Sequence, residues 1–208
     1  MKFFEWLKQK KYLYFNNGRG YYNGESYILE KCPISKIPEK HLNFFIEDVD
    51  SSNYPKKIMN YLSSILLEEQ IGPFTFFLSQ IIGGKVYLPI YLVGEPHTGK
   101  TALMIMLKEI FEPIVNFENW ETTRFHLKEK WNRCLYLNNK PFIIELNKYP
   151  KYKGCTIYDF KNRFDEKNTI LHNDLLTPLR PEYPYFVLYL ISRYEDYMFS
   201  REEGWFET

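Results

Sequence analysis

With 208 residues, the chain is long enough to bury a real core, either as one α/β domain with an appendage or as two small domains. Its 27 Lys and Arg nearly cancel its 26 Asp and Glu, and the formal net charge of +1 excludes a global electrostatic pull toward nucleic acid, leaving only local patches. Cys32, Cys134 and Cys155 lie far apart with no Cys-x-x-Cys pair, which argues against a zinc ribbon or a disulfide framework and fits reduced cysteines in a cytosolic chain.

The opening MKFFEWLKQKKYLYF interleaves Phe3, Phe4, Trp6 and Leu7 with charges, the pattern of an amphipathic helix rather than of a signal peptide. No apolar stretch reaches the length of a membrane span, so no membrane partner is expected. Nothing in the sequence directs the chain out of the cytoplasm, or out of the host nucleus for a viral protein. Asn17-Gly18 and Asn23-Gly24 between aromatic runs predict a hairpin built from Lys11–Phe15 and Glu25–Leu29. Arg19, Tyr21 and Tyr22 on it form either an ordinary packed face or a small surface for stacking bases. Residues 1–52 thus read as a small N-terminal α+β unit, and 53–208 as the main domain.

Asp48 to Pro55 is a polar joint. From Lys56 to Gly84 the apolar residues recur at helical spacing, with Gly72-Pro73 expected to divide two helices and Gly83-Gly84 to end the second. Val86–Val93 reads as a buried strand, and Ala102, Leu103, Ile105, Met106, Ile110 and Phe111 as the buried face of a helix. Val115–Phe117 is a short strand, Thr122–Leu135 a helix, and Pro141–Leu146 a buried strand ending near Glu145. Cys155–Phe164 is expected to be helical and to lead into a turn at Asp165–Asn168, and the apolar run Tyr185–Ile191 to be a strand ending at Ser192-Arg193. Buried strands alternating with helices predict an α/β fold of three layers around a mostly parallel sheet.

Between the strand and the helix, Gly94, Gly99, Lys100 and Thr101 meet the spacing Gly-x-x-x-x-Gly-Lys-[Ser/Thr] of a phosphate-binding P-loop. The residue types follow from the chemistry. Gly94 and Gly99 allow a backbone that turns successive N–H groups toward an anion, with Glu95, Pro96, His97 and Thr98 completing the cradle. The helix starting near Lys100 aims its free N–H groups and positive dipole end at the same point. Lys100 brings a point charge to the β and γ phosphates, and Thr101 a hydroxyl for Mg²⁺. The expected cofactors are therefore ATP and Mg²⁺. Magnesium also needs a carboxylate near a strand end; Glu145 is the first choice and Asp159 the second. Ser192 is placed to sense the γ-phosphate, and Arg193 and Arg201 are candidates for a charge-stabilising arginine.

Together these segments resemble the superfamily 3 helicases of viruses and plasmids, a group that includes poxvirus-type primase-helicases and the initiators of small single-stranded DNA viruses. YLVGEPHTGKTALMIMLKEIF corresponds to Walker A, PFIIEL to Walker B, IYDFKNRFDEKNT to the segment between Walker B and the sensor, and PYFVLYLIS to the sensor strand. The helical YLSSILLEEQIGPFTFFLSQIIGG is similar to what precedes such ATPase cores, so the likeness covers Ser51 to Glu195. It implies an AAA+-like P-loop NTPase, a ring-forming homo-oligomer that hydrolyses ATP while moving on single-stranded nucleic acid, with Lys161 and Arg163 contacting the strand. The chain departs from the family where Leu146 follows Glu145 in place of a second acid, and where Ser192 replaces the sensor asparagine. Two other classes remain open: a nucleotide-binding scaffold with weak or no hydrolysis, and another P-loop enzyme such as a packaging ATPase.

Overall fold

The computed structural model describes residues 12–49, 53–83, 89–112, 114–119, 133–137, 140–146, 148, 156–160 and 172–202. Outside them lie the expected amphipathic N-terminal helix, Val86–Leu88, most of the expected helix from Thr122, the turn at Asp165–Asn168, and both Lys161 and Arg163.

Strands β1 (Leu13–Phe15), β2 (Gly18–Tyr22) and β3 (Tyr27–Lys31) form an antiparallel sheet in that order. Phe15 pairs with Gly18, so the first turn falls on Asn16-Asn17, one residue before the expected Asn17-Gly18. Asn17 then serves a second purpose: its side-chain oxygen accepts from the Ile46 N–H at 2.9 Å, and its amide donates to Glu47. That fixes the helical turn α1 (Ile46–Val49). At the other turn the Asn23 side chain accepts from the Glu25 and Ser26 N–H groups, both at 2.8 Å, closing an Asx-type loop.

Helix α2 (Lys56–Ile65) is followed by α3 (Glu68–Ser79). The break lies at Leu66-Leu67, not at Gly72-Pro73, and Pro73 sits inside α3. The competing start signal won: Glu68 and Glu69 suit the first turn, and the Gln70 side chain accepts from the Leu67 N–H at 3.2 Å. Helix α2 begins after Pro55, which offers no side-chain cap; Glu182, far along the chain, supplies one by accepting from the Lys57 and Ile58 N–H groups at 2.7 and 3.2 Å.

The main sheet comprises β4 (Ile90–Val93), β5 (Val115–Asn119), β6 (Arg133–Leu137), β7 (Lys140–Leu146) and β8 (Thr156–Asp159), in the order β5-β6-β7-β4-β8. Helices α4 (Lys100–Phe111), α5 (His172–Leu176) and α6 (Tyr183–Glu202) complete the described α-helices. The sheet is mixed rather than mostly parallel: β4 is parallel to β7 and β8, whereas β6 is antiparallel to both β5 and β7. Alternate strand residues divide between two faces. Ile90, Leu92, Leu135, Leu137, Ile143 and Tyr158 join the core beneath α3, α4 and α6, while Val93, Cys134, Tyr136, Ile144 and Leu146 form a separate cluster on the other side. Among the described residues, that second cluster contains strand residues only.

Two segments adopt the opposite structure from that expected. Residues 156–159 form strand β8 rather than a helix, because Ile157 and Tyr158 can pair beside β4 and fill opposite faces of the sheet. The apolar run 185–191 is part of helix α6 rather than a strand. Tyr183, Phe186, Val187, Leu190 and Ile191 are the buried positions, a helical spacing that the intervening apolar Tyr185, Leu188 and Tyr189 obscure in the sequence. Leu13, Phe15, Leu42, Ile46 and Val49 share one core with these helices, and Glu195 of α6 accepts the Tyr27 N–H of β3. Among the described residues, no helix is long and apolar enough to cross a membrane.

Candidate functional site

The loop between β4 and α4 lies at the C-terminal end of a strand flanked by two parallel neighbours, the place where open α/β sheets leave a crevice for ligands. Gly94 has φ +152° and Gly99 φ +90°, and His97 between them is also left-handed at φ +64°. This backbone shape allows successive amides to converge on an anion. Gly94 is required for a second reason: a Cβ there would stand 2.5 Å from the Phe160 carbonyl oxygen at the end of β8. Phe160 is held in place by donating its N–H to the Val93 carbonyl at 2.8 Å. On the other side of the loop, the Tyr61 hydroxyl of α2 donates to the Gly99 carbonyl at 3.2 Å, and burial pushes that phenol above its usual range.

Lys100 is only 2% exposed. Its ammonium donates to the Gly94 carbonyl at 2.7 Å, the Glu95 carbonyl at 2.6 Å and the Thr98 hydroxyl at 3.1 Å, while that hydroxyl donates to the Glu95 carbonyl at 2.9 Å. All three acceptors are neutral. Burial lowers the Lys100 pKa from its ordinary value, and the nearby Glu145 carboxylate opposes that shift. A positive charge bonded to neutral oxygens at the start of α4, beside N–H groups that no helical turn satisfies, is an arrangement that can receive an anion. Pro96 and His97 form the exposed rim of the loop.

Glu145 on β7 comes to this site, as the sequence predicts, and is 3% exposed. Its Oε1 accepts from the Thr101 hydroxyl at 3.2 Å. Asp159 is brought to the same end of the sheet by register: Leu92 faces Glu145 and Val93 faces Asp159. Ser192 is not brought there as a strand end; it lies on an exposed position of α6, and the change from strand to helix removes the basis for its sensor role. Arg193 on the same helix pairs with Asp196 at 3.4 Å. Arg19, considered for base stacking, lies 4.3 Å over the Tyr12 ring and donates to Glu30 at 2.6 Å, so its guanidinium is engaged within the sheet.

One site residue is missing from the sequence-based set. Arg133, opposite Glu145 on the antiparallel β6–β7 pair, donates through Nη1 to the Thr101 hydroxyl at 2.8 Å and to Glu145 Oε2 at 3.0 Å. The signal was RCLYLNNKPFIIEL, in which Asn138-Asn139 between two apolar runs marks a hairpin. Reading Thr122–Leu135 as a helix concealed it. Two cations, Lys100 and Arg133, meet Glu145 at the loop, and the Glu95 carboxylate within the loop also acts on the Lys100 charge. Thr101 and Glu145 carry the oxygens a magnesium ion would use, but Arg133 is already bonded to both residues. The cluster as built does not fit the expected ion.

Compared with protein families and with curated proteins, the sequence matches none. Among solved structures, the chain is similar to the NrS-1 C-terminal region (305–718) in its A form apo structure, at 15% identity and a TM-score of 0.45, covering 92% of this chain and 69% of that one. A second apo structure of the same region is similar at 12% identity and a TM-score of 0.45, covering 92% and 70%. A likeness of that degree carries no functional inference.

Proposed function

We propose that the chain binds the polyphosphate of a nucleoside triphosphate, ATP being the first to test, in the loop Gly94–Thr101. The observation that carries this is Lys100, a buried ammonium tied only to neutral loop oxygens at the N-terminus of a twelve-residue helix. An incoming phosphate would take over those bonds with its own charge, which exchanges neutral acceptors for charge-assisted ones. Gly94 and Gly99 favour this by letting the backbone close around the anion.

Slow turnover belongs to the same proposal. Hydrolysis needs a group to orient water and a cation to draw charge from the γ-phosphate. Glu145, which accepts from the Thr101 hydroxyl, is paired with Arg133, and Leu146 follows it where a second acid would stand. We therefore favour a nucleotide-holding protein, in which the ligand stabilises or assembles the fold, over a motor that translocates on nucleic acid.

ATP binding can be measured by calorimetry and by thermal melting. At a hundredfold excess over Kd, bound ATP is worth about 2.7 kcal/mol, a melting-temperature rise of about 5–10 °C for a chain of this size. Lys100→Ala should weaken binding about tenfold or more and cut the stabilisation at that ATP concentration to about half or less. No binding by the wild-type chain, or binding unchanged in the variant, would overturn the proposal. Radiolabelled ATP in a single-turnover mixture should remain intact over hours; its rapid conversion to ADP would favour the motor.

A further inference from the structure

We propose that Arg133 stands in the position of the magnesium ion, so that this site carries its cation as a side chain and takes polyphosphate without a divalent metal. The inference rests on the phosphate-binding role of the loop for its ligand, but the placement of Arg133 can be tested separately.

Thr101 Oγ1 and Glu145 Oε1 lie 3.2 Å apart. Two oxygens bound to one Mg²⁺ at right angles would be about 2.9 Å apart for metal–oxygen distances of about 2.0–2.1 Å. The oxygen pair thus has nearly the spacing of a metal's ligand edge. A single nitrogen, Arg133 Nη1, serves both residues at 2.8 and 3.0 Å. A divalent ion between Thr101 and Glu145 would meet that nitrogen and its positive charge at short range. The guanidinium does not deprotonate under any ordinary condition, so pH offers no way to clear the position.

Arg133 is also held there by the fold. It is the first residue of β6 and pairs in register with Glu145 of β7, so the contact is made by neighbouring backbones and not by a long side chain reaching across a gap. Its bonds within the described residues all use Nη1. Among the described residues Nε and Nη2 have no other partner and are left for a ligand, and the side chain is 34% exposed. A planar fork of this kind matches two oxygens of a phosphate, which magnesium would otherwise bridge. Lys100 and Arg133 would then flank one polyphosphate from two directions, with Glu145 holding Arg133 in place as a positioning residue.

The decisive measurement uses the wild-type chain alone. ATP is titrated by calorimetry in excess MgCl2 and again in excess EDTA. The dissociation constants should agree within about threefold; a loss of about tenfold or more in EDTA, the size expected for removing a charged partner, overturns the proposal. Mn²⁺ is then titrated without nucleotide, using the loss of its free-ion electron paramagnetic resonance signal. The wild type should leave Mn²⁺ free, whereas Arg133→Gln should bind it and should need metal to bind ATP. Mn²⁺ bound by the wild type, or by neither protein, overturns the proposal. If ATP binds under no condition, the nucleotide role fails, and Mn²⁺ uptake by Arg133→Gln alone still upholds Arg133 as occupant of the cation position. Thermal melting checks that the variant folds; if it does not, the two wild-type ATP titrations decide.

Discussion

Gly94→Ala gives the sharpest test of how the loop is built. The new methyl group would lie 2.5 Å from the Phe160 carbonyl oxygen, 3.1 Å from Phe160 Cβ and 3.3 Å from its carbonyl carbon, against an ordinary contact beginning at 3.4 Å. Relief requires a movement of about 0.9 Å (3.4 less 2.5), and the nearest obstacle is backbone, not a side chain that can swing aside. The Phe160 N–H is bonded to the Val93 carbonyl at 2.8 Å, so β8 cannot retreat without straining the pairing beside the loop. Added to this is the φ of +152°, which a residue bearing a Cβ rarely adopts. Backbone strain of that kind costs about 1–3 kcal/mol, and forcing an extra carbon into a packed site about 1–3 kcal/mol more. The expected loss is roughly 2–6 kcal/mol from a total stability on the order of 5–15 kcal/mol. Urea unfolding followed by intrinsic fluorescence would measure it, with Gly72→Ala as the internal control. A Cβ at Gly72 meets nothing within 4 Å, and the position lies inside α3, so alanine there should stabilise by about 0.4–1 kcal/mol. If Gly94→Ala falls within about 0.5 kcal/mol of the wild type, the size typical of an uneventful surface change, the loop is not clamped by β8 and the geometry argued above is wrong.

Glu109 offers a pH test of how α6 is attached to α4. Its carboxylate accepts from Arg180 at 2.8 and 3.0 Å and from the Tyr183 hydroxyl at 2.8 Å, and the Arg180 hydrogen bond is the largest cause holding its pKa below 4.5. A carboxylate depressed in the folded state stabilises fully above its unfolded pKa, and that contribution disappears as pH falls through the folded value. Glu109→Gln should therefore lower stability near neutral pH and converge on the wild type in acid. Arg180 is 42% exposed and its charge is screened, so the neutral-pH difference should be about 0.5–1 kcal/mol; a constant difference at every pH would show that the ion pair is not its source. Ser192→Ala tests the corrected placement of that residue on α6: the melting temperature and ATP affinity should match the wild type, and a selective loss of nucleotide response would restore it to the site.

The parts of this protein legible in its sequence are those whose physical cause is local. The glycine loop occupies eight consecutive residues, and its strand and helix follow from a continuous apolar run before Gly94 and from apolar residues at helical spacing after Gly99. The run at 185–191 failed for a local reason of a different kind: seven consecutive apolar residues satisfy both periods, and only the buried pattern extending back to Tyr183 separates helix from strand. β8 is too short for periodicity to define and is stabilised by lying beside β4. Arg133 was hidden most completely because its role depends on pairing. It lies 32 residues from Thr101, and it reaches Glu145 only once β6 and β7 are in register, past the irregularity between Leu135 and Tyr136. A shift of one residue would turn its side chain to the opposite face of the sheet. The glycine loop is thus encoded by a contiguous motif, whereas the cation beside it is set by a strand register, and substitutions at Asn138 and Asn139 should alter the second without touching any residue of the first.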